Sequence, residues 1–268
     1  MTYEHLRKSL VEAHPTLPGR LRQMAEYALA HPDDMALETI AVLSERSGVS
    51  PSGMVRFARA LGFSGFSEMQ KVFKEGLLHH MPDYRARIRA ARRTASDAGS
   101  PQLQNFVKAG IASLQHLGES EALGQLDAAV DLLANAERIH VAAQRRSFPV
   151  ASYLAYALGH LGCPAHLLEG VGGMFGEQGR NLRERDVLLA ISFPPYAQEV
   201  VDLVQESAER GIAVITLTDS PVSPIHAPAQ VAFEVLEMEV SGFRSLSASL
   251  CLALGLVVSL GERLEQSR

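Results

Sequence analysis

The change in hydrophobic pattern along the chain constrains its fold more than any other sequence feature. Five short runs rich in aliphatic and β-branched residues alternate with longer helical patterns in the second half of the chain. These runs are predicted strands, at residues 138–143, 164–168, 187–192, 213–217 and 231–238. Strands that alternate with crossover helices form a doubly wound, mostly parallel sheet, so a five-stranded α/β domain is predicted here.

Three segments between the predicted strands are long enough for crossover helices, at residues 148–161, 173–183 and 198–210. Ligands of such sheets bind beyond the carboxyl ends of the strands, so the residues that follow each strand are candidates for a binding site. A final apolar run, Leu246 to Leu260, is too short for a membrane span and contains three serines. It therefore predicts a buried helix.

The first part of the chain has a different pattern. From Leu6 to Phe73, apolar residues recur every three or four positions in short segments broken by proline and glycine, which predicts a compact all-helical unit. A strongly basic stretch and the small polar stretch TASDAGSPQ follow it. The predicted organisation is a helical domain at 1–80, a linker at 81–101 and the α/β domain at 102–268.

Cysteine content and charge limit the functional classes. The two cysteines, Cys163 and Cys251, lie in apolar stretches, and the first residues contain no apolar core of a secretory signal. A reducing cytoplasm is therefore predicted. Residues 1–93 hold 14 basic and 10 acidic side chains, whereas the remainder holds 11 and 20. A cationic first part and an anionic second part favour a protein that places one end on a polyanion.

The span from Glu38 to Phe66 carries the most specific motif in the chain. Gly48 can take the positive φ of a tight turn, and Val49 would lie between two helices. Ser50 is a favourable N-cap, and Pro51 suits the first position of the helix that follows. These signals together predict a helix-turn-helix.

The second helix of this motif has one buried and one exposed face. Met54, Phe57 and Leu61 recur at helical spacing and predict the buried face. The opposite face and the first turn present hydroxyl and guanidinium groups that can contact the phosphates and base edges of double-stranded DNA. The predicted DNA-binding residues are Ser50, Ser52, Gly53, Val55, Arg56 and Arg59. An ordinary helical hairpin with solvated arginines is the alternative.

The stretch SGVSPSGMVRFARALGFSGFSEMQ resembles the recognition segment of the RpiR/MurR family of bacterial transcriptional regulators. The order of the parts and the chain length also agree with that family. The resemblance implies that the helix-turn-helix precedes a sugar isomerase (SIS) domain, which binds a small effector. Gly53 and Met54 stand where the family commonly has Thr and Val, so the operator sequence does not carry over.

Two signatures of the SIS family are altered in this chain. The Gly-x-Gly-x-Ser pattern that follows the first strand falls on residues 143–147, where Ser147 matches and both glycines are replaced. The Ser-x-Ser-Gly-x-Thr-x-Glu pattern falls on residues 192–199, where only Ser192 and Glu199 match. Because Pro194 and Pro195 remove two backbone N–H donors, the usual SIS phosphate loop is not expected here.

Arginines remain near the predicted strand ends. Arg145 and Arg146 follow the first strand, and Arg244 is predicted to open a later helix. Clustered guanidinium groups bind carboxylates and phosphates, so the predicted effector is a small anionic metabolite, carbohydrate-related or an organic acid. The predicted effector-binding residues are Arg145, Arg146, Ser147, Ser192, Tyr196, Thr218 and Arg244. Thr218 lies in a stretch, 216–220, that is also typical of a simple turn.

Two other functional classes stay open. A sugar-phosphate isomerase would need a carboxylate or histidine as base. The candidates, none with a distinguishing context, are Glu199, Glu237, Glu239, His140, His160 and His226. No metal, nucleophile or nucleotide motif is present, so no catalytic residue, metal or cofactor is predicted. An oligomerisation scaffold that senses nothing is the other alternative.

The DNA-binding prediction also implies self-association. One small helix-turn-helix reads few base pairs, and a dimer doubles the site, so a dimer or tetramer is expected. The apolar C-terminal helix and the linker are the predicted contact elements.

Overall fold

The computed structural model describes residues 3–78, 88, 102–120 and 122–266. The chain forms two compact units, a helical unit that holds residues 3–78 and an α/β unit that holds most of residues 102–266. The linker predicted at residues 81–101 lies, apart from Ile88, outside the described residues.

The helical unit has a small apolar core. Its described helices are α1 (Tyr3–Ala13), α2 (Gly19–Ala30), α3 (Pro32–Leu37), α4 (Ile40–Ser47), α5 (Pro51–Ala60) and α6 (Phe66–Leu78). Pro32 and Pro51 occupy the first positions of their helices. A backbone N–H at that position makes no hydrogen bond within the helix, so a proline there removes none. Met24, Leu43 and Phe57 are fully buried and pack in one cluster, so the predicted all-helical unit is confirmed.

The α/β unit begins with two helices and then alternates strands and helices. Its described elements are α7 (Gln102–Glu119), α8 (Ala122–Ala134), β1 (Ile139–Ala143), α9 (Phe148–His160), β2 (Ala165–Leu168), α10 (Phe175–Arg180), β3 (Val187–Ile191), α11 (Gln198–Glu209), β4 (Ala213–Thr218), β5 (Val231–Glu234), β6 (Glu239–Val240), β7 (Phe243–Arg244) and α12 (Ser247–Gln266). The predicted fold class is confirmed.

The sheet is parallel throughout and has the order β2-β1-β3-β4-β5. In this order, β2 lies on one side of β1, whereas β3, β4 and β5 follow one another on the other side of β1. The switch point therefore lies between β1 and β3, where Ala143 is paired with Ile191. Parallel sheets of this kind bind ligands outside the carboxyl ends of the strands at the switch point.

Helices cover both faces of the sheet. Alternate strand residues such as Val141 and Leu189 pack with α8, α9 and α12, and their neighbours such as Ala142 and Leu188 pack with α10 and α11. Among the described helices, only α12 is long and apolar enough to cross a membrane by length and composition. Its buried side chains belong to the same core as Val141, so the predicted buried helix is present and extends to Gln266.

The segment after β5 differs from the prediction. The fifth strand ends at Glu234, and the chain then forms a hairpin of β6 and β7 before α12 begins at Ser247. Arg244 therefore lies in a strand, and the prediction that it opens a helix is wrong. Ser241 and Gly242 take positive φ values of 53° and 80°, the conformation that a two-residue hairpin turn requires.

Candidate DNA-binding and effector-binding sites

The turn between α4 and α5 has the geometry that its residues predict. Gly48 has a left-handed φ of 66°, and the Val49 side chain is buried. Ser50 Oγ accepts a hydrogen bond from Gly53 N at 3.3 Å and caps α5, while Thr39 Oγ1 accepts from Val42 N at 3.4 Å and caps α4. These caps fix where both helices of the motif begin.

Gly53 is a close-packed position in this motif. A Cβ atom built there would lie 2.9 Å from Val49 Cγ1 and 3.3 Å from Ser50 Oγ. Gly53 is also one of the predicted DNA-binding residues. The packing gives a reason inside the protein, because a larger residue would push against the turn residue Val49.

The outer face of α5 carries the predicted DNA-binding groups. Arg56 and Arg59 are exposed, as is Ser52, whereas Val55 is half-buried. Arg59 Nε lies 3.5 Å from Ser64 O, and Arg56 has no hydrogen bond or ion pair within the described part of the chain. Both guanidinium groups are therefore accessible to a ligand of opposite charge.

Three of the predicted effector-binding residues follow β1 directly. Arg145, Arg146 and Ser147 form a short 3₁₀ turn that leads into α9. Both arginines are exposed and Ser147 is buried; Arg145 has a positive φ of 55°. Arg146 Nη2 lies 3.5 Å from the carbonyl oxygen of Pro194, in the loop after β3. The turn after β1 and the loop after β3 thus meet at the switch point.

The polar groups after β3 and β4 are engaged with one another. Ser192 Oγ accepts from Ala197 N at 3.4 Å, and Thr218 Oγ1 donates to Ser192 O at 3.0 Å. Tyr196 Oη donates to Asp219 Oδ1 at 2.7 Å. These bonds connect the loop after β3 with the end of β4 and the loop that follows it. The two loops are therefore held together by hydrogen bonds, although the glycines and threonine of the usual phosphate loop are replaced.

Arg244 is the most enclosed of the predicted arginines. Its side chain is only 15% exposed, and Arg244 Nη2 lies 4.0 Å from Glu239 Oε2. Its Nη1 atom is buried and has no hydrogen-bond partner within the described residues. A buried guanidinium N–H is costly to leave without an acceptor, so Arg244 Nη1 is available as a donor to a ligand.

Glu237 is a buried residue whose role the sequence did not reveal. Its Oε1 accepts from both the backbone N and the Oγ of Ser249, at 2.8 and 2.9 Å, and its Oε2 accepts from Ser245 Oγ at 2.9 Å. The carboxylate satisfies an otherwise unpaired N–H in the first turn of α12 and adds negative charge there. With three donors bound, Glu237 acts as a helix cap.

The other residues considered as bases do not converge at the carboxyl edge. His140 lies near the amino end of β1 and bonds Asp186, and His226 contacts Glu234. Glu199, Glu239 and His160 are exposed on three separate elements. Within the described residues, these candidates therefore do not form a paired acid and base.

Family models match both units of the chain. The helix-turn-helix domain of the rpiR family matches residues 8–77, and the SIS domain matches residues 132–259. The chain belongs to the RpiR family. A relative, the uncharacterized HTH-type transcriptional regulator YbbH of Bacillus subtilis, is 25% identical over 88% of this chain and 82% of its own length.

Solved structures resemble both parts of this RpiR-family chain. The sugar isomerase domain of an RpiR transcription factor from Sphaerobacter thermophilus has a TM-score of 0.57 and 25% identity, covering 63% of this chain and 93% of that one. The Vibrio vulnificus NanR protein, solved in complex with ManNAc-6P, has a TM-score of 0.55 and 22% identity, covering 98% and 92% of the two chains. The second likeness concerns the fold alone.

Some relatives are longer than this chain. The bifunctional protein glk of Burkholderia thailandensis is 28% identical over 90% of this chain, which spans only 37% of the relative's length. This chain therefore matches about a third of that longer protein.

Proposed function

We propose that this chain is a transcriptional regulator that binds a double-stranded DNA operator through its helix-turn-helix. A small anionic metabolite, carbohydrate-related or an organic acid, would control that binding from the SIS domain. The observation that carries the proposal is the capped helix α5, which presents Arg56 and Arg59 to solvent. The proposed DNA contacts are Ser50, Ser52, Gly53, Val55, Arg56 and Arg59.

Fluorescence anisotropy on a duplex selected from a random library with the full chain tests DNA binding. Arg56→Ala and Arg59→Ala should each weaken binding by about 1–3 kcal/mol where the arginine reads a base, and should lower the salt slope by about one where it contacts phosphate. Lys8→Ala on α1 is the matched control, because Lys8 is an exposed cation outside the motif. Unchanged affinity and salt slope in both α5 variants would assign DNA binding to another surface.

The proposed effector site is the carboxyl edge of the sheet at the β1/β3 switch point. Exposed arginines after β1 supply positive charge, and the internally bonded loops supply a preformed wall. Arg244, in the hairpin that follows β5, is the further guanidinium that we include. NanR, which shares the fold, was solved with ManNAc-6P, and this supports a sugar-derived ligand. The proposed contacts are Arg145, Arg146, Ser147, Ser192, Tyr196, Thr218 and Arg244.

Calorimetry with panels of sugar phosphates and organic acids tests this site. Arg145→Ala and Ser147→Ala should weaken a ligand that binds there, by about tenfold or more for a charge-assisted contact. Arg244→Lys keeps the charge but loses the guanidinium geometry, and Arg180→Ala on α10 is the control. Unchanged affinity in all three site variants would move the effector elsewhere. A ligand that binds without altering operator affinity would favour the non-sensing scaffold.

Self-association is also part of the proposal, with a second copy of this chain on the outer faces of α7 and α12. These helices pack against each other. Their large exposed apolar residues recur at helical spacing: Leu103, Val107, Ile111 and Leu114 on α7, and Leu250, Leu254 and Val258 on α12. Contiguous apolar surface of this kind marks an interface, and a twofold operator needs two DNA-binding heads.

Light scattering at micromolar concentration tests the interface. Ile111→Glu and Leu254→Glu place charges on exposed positions, so they should reduce the mass to that of the monomer without unfolding the core. Gln115→Glu, an exposed polar position on α7, is the control and should leave the mass unchanged. A monomeric unmodified chain would contradict this part of the proposal.

We place the regulator in the cytoplasm, with no membrane partner, cofactor or catalytic step. Its membership of a family that includes HTH-type transcriptional regulators supports this placement. The saturated carboxylate of Glu237 argues against the isomerase alternative. Interconversion of aldose and ketose phosphates by the purified chain, followed by NMR, would support that alternative instead.

A further inference from the structure

A cavity lies toward the amino ends of β1 and β3, on the face covered by α10, and its lining continues along the edge strand β2 as far as Leu168. It has a volume of about 410 Å³. We call it the amino-edge cavity and define it by its polar lining residues Arg138, His140, His166, Gln178, Asn181 and Arg183. His140 is the second residue of β1, whereas Arg145 follows its last residue, so roughly 16 Å of strand separates His140 from Arg145.

His140, a buried residue that lines the cavity, is hydrogen-bonded to the buried carboxylate of Asp186, which is not part of the lining. His140 Nε2 lies 3.1 Å from Asp186 Oδ2, which also accepts from Arg183 N at 2.9 Å. Burial lowers the pKa of His140, and the hydrogen bond that His140 donates to Asp186 opposes that shift only in part. The neutral ring donates its Nε2 proton to Asp186, so the Asp186 charge is already engaged. His166 stacks on His140 with ring centroids 5.5 Å apart.

Two arginines give the cavity its charge. Arg138 and Arg183 have no ion pair or side-chain hydrogen bond within the described ranges. By contrast, the nearby Arg185 is ion-paired, because Arg185 Nη1 lies 3.0 Å from Glu137 Oε1. No Asp or Glu is among the described residues that line the cavity. The cavity therefore holds two positive charges and no carboxylate.

Amide groups add further donors from a fixed loop. Gln178 Oε1 accepts from Gly170 N at 3.0 Å, which leaves the Gln178 amide NH₂ as a donor beside Asn181. The guanidinium of Arg210 donates to the carbonyl oxygens of Gly179, Arg180 and Leu182. This clamp holds the segment between α10 and β3, which carries Asn181 and Arg183.

We propose that the amino-edge cavity is a binding site for a small oxyanion, carried by a phosphate or a carboxylate group. Two guanidinium groups without an ion pair in the described residues and two amides line the same cavity, and groups of these kinds donate hydrogen bonds to phosphates and carboxylates. The volume is large enough for a metabolite that bears the anion, rather than for the anion alone. The residues of this site differ from those of the proposed effector site, so the two proposals can be tested independently of each other.

Carbon-detected NMR of the histidine rings and calorimetry on the full chain test the proposal. Inorganic phosphate and citrate are titrated at fixed pH and ionic strength, with glucose as the neutral probe. Phosphate or citrate should shift the His166 and His140 resonances, and glucose should not. A larger response to phosphate assigns a phosphoryl ligand, and a larger response to citrate assigns a carboxylate.

Two arginine variants distinguish anion binding in the cavity from non-specific attraction of anions to positive surface charge. Arg138→Ala with Arg183→Ala should weaken binding at least about tenfold, since two charge-assisted contacts are lost. Arg185→Ala, which removes one positive charge two residues from Arg183 and outside the cavity lining, should change it less than about twofold. Equal losses in both variants, or no response to either anion up to about 10 mM, would overturn the proposal. Arg145→Ala should leave this binding unchanged, which distinguishes it from the effector site.

Discussion

Tyr196 Oη donates a hydrogen bond to Asp219 Oδ1 at 2.7 Å. The bond connects the loop after β3 to the loop after β4, across neighbouring strands of the sheet. The Tyr196 hydroxyl is therefore committed to the protein, and the ring is the part of Tyr196 that a ligand at the carboxyl edge can contact. Two proline residues before Tyr196 stiffen the loop that carries it.

Tyr196→Phe is accordingly expected to alter effector affinity less than Tyr196→Ala, because phenylalanine keeps the ring and loses only the bond to Asp219. A net loss of about 1 kcal/mol in unfolding free energy is expected for Tyr196→Phe. Calorimetry with the effector and chemical denaturation measure the two effects. Equal losses of affinity in both variants would show that the hydroxyl itself contacts the ligand.

Gly53→Ala is expected to destabilise the helical unit. The new Cβ would lie 2.9 Å from Val49 Cγ1. Overpacking of this kind costs about 1–3 kcal/mol, against a gain of about 1 kcal/mol in helix propensity. The expected net loss is up to about 2 kcal/mol in a denaturation experiment.

Two variants control this prediction. In Gly53→Ala with Val49→Ala the clash is relieved, so the combined loss should be smaller than the sum of the two single losses. Gly19→Ala, in the first turn of α2, has no atom within 4 Å of the new Cβ and should be tolerated. Strictly additive losses would show that Val49 does not restrict position 53.

Glu237→Gln is expected to destabilise the α/β unit by about 1–3 kcal/mol, because the amide NH₂ cannot accept the bonds that the carboxylate receives. Loss of the negative charge at the first turn of α12 acts in the same direction. Denaturant unfolding measures the effect. Glu199→Gln, on the exposed first turn of α11, should change stability by less than about 0.5 kcal/mol. Equal effects of the two variants would contradict the capping role of Glu237.

The stability of the α/β unit should fall as the pH is lowered below about 6.5, the ordinary pKa of histidine. Burial lowers the pKa of His140 in the folded protein, despite the nearby Asp186. Between the lowered pKa and 6.5 the unfolded chain binds more protons than the folded chain, so protonation favours unfolding. Arg138 and His166 act in the same direction, since both oppose a positive charge on His140.

Denaturation midpoints at pH values between about 8 and 5 measure this dependence. His140→Gln should reduce the slope of stability against pH, even where it lowers stability at every pH. His160→Gln, an exposed position on α9, should keep the original slope. A slope that is unchanged in His140→Gln would assign the pH dependence to other groups.

The sequence by itself determined the fold class, the helix-turn-helix and the family. Each of these depends on local signals: the periodicity of apolar residues, the N-cap Ser50 followed by Pro51, and the turn glycine Gly48. Such signals act within a few residues, so they can be seen without knowing what lies across the sheet.

Only the tertiary structure decided which polar groups are already engaged. Asp186 is 46 positions from His140, and Asp219 is 23 positions from Tyr196. Glu237 and Arg244 have the sequence context of surface charges, yet Glu237 is buried and the Arg244 side chain is only 15% exposed. Strand register and helix packing choose partners that are distant in the chain, because a buried polar group must find a partner wherever the fold brings one close.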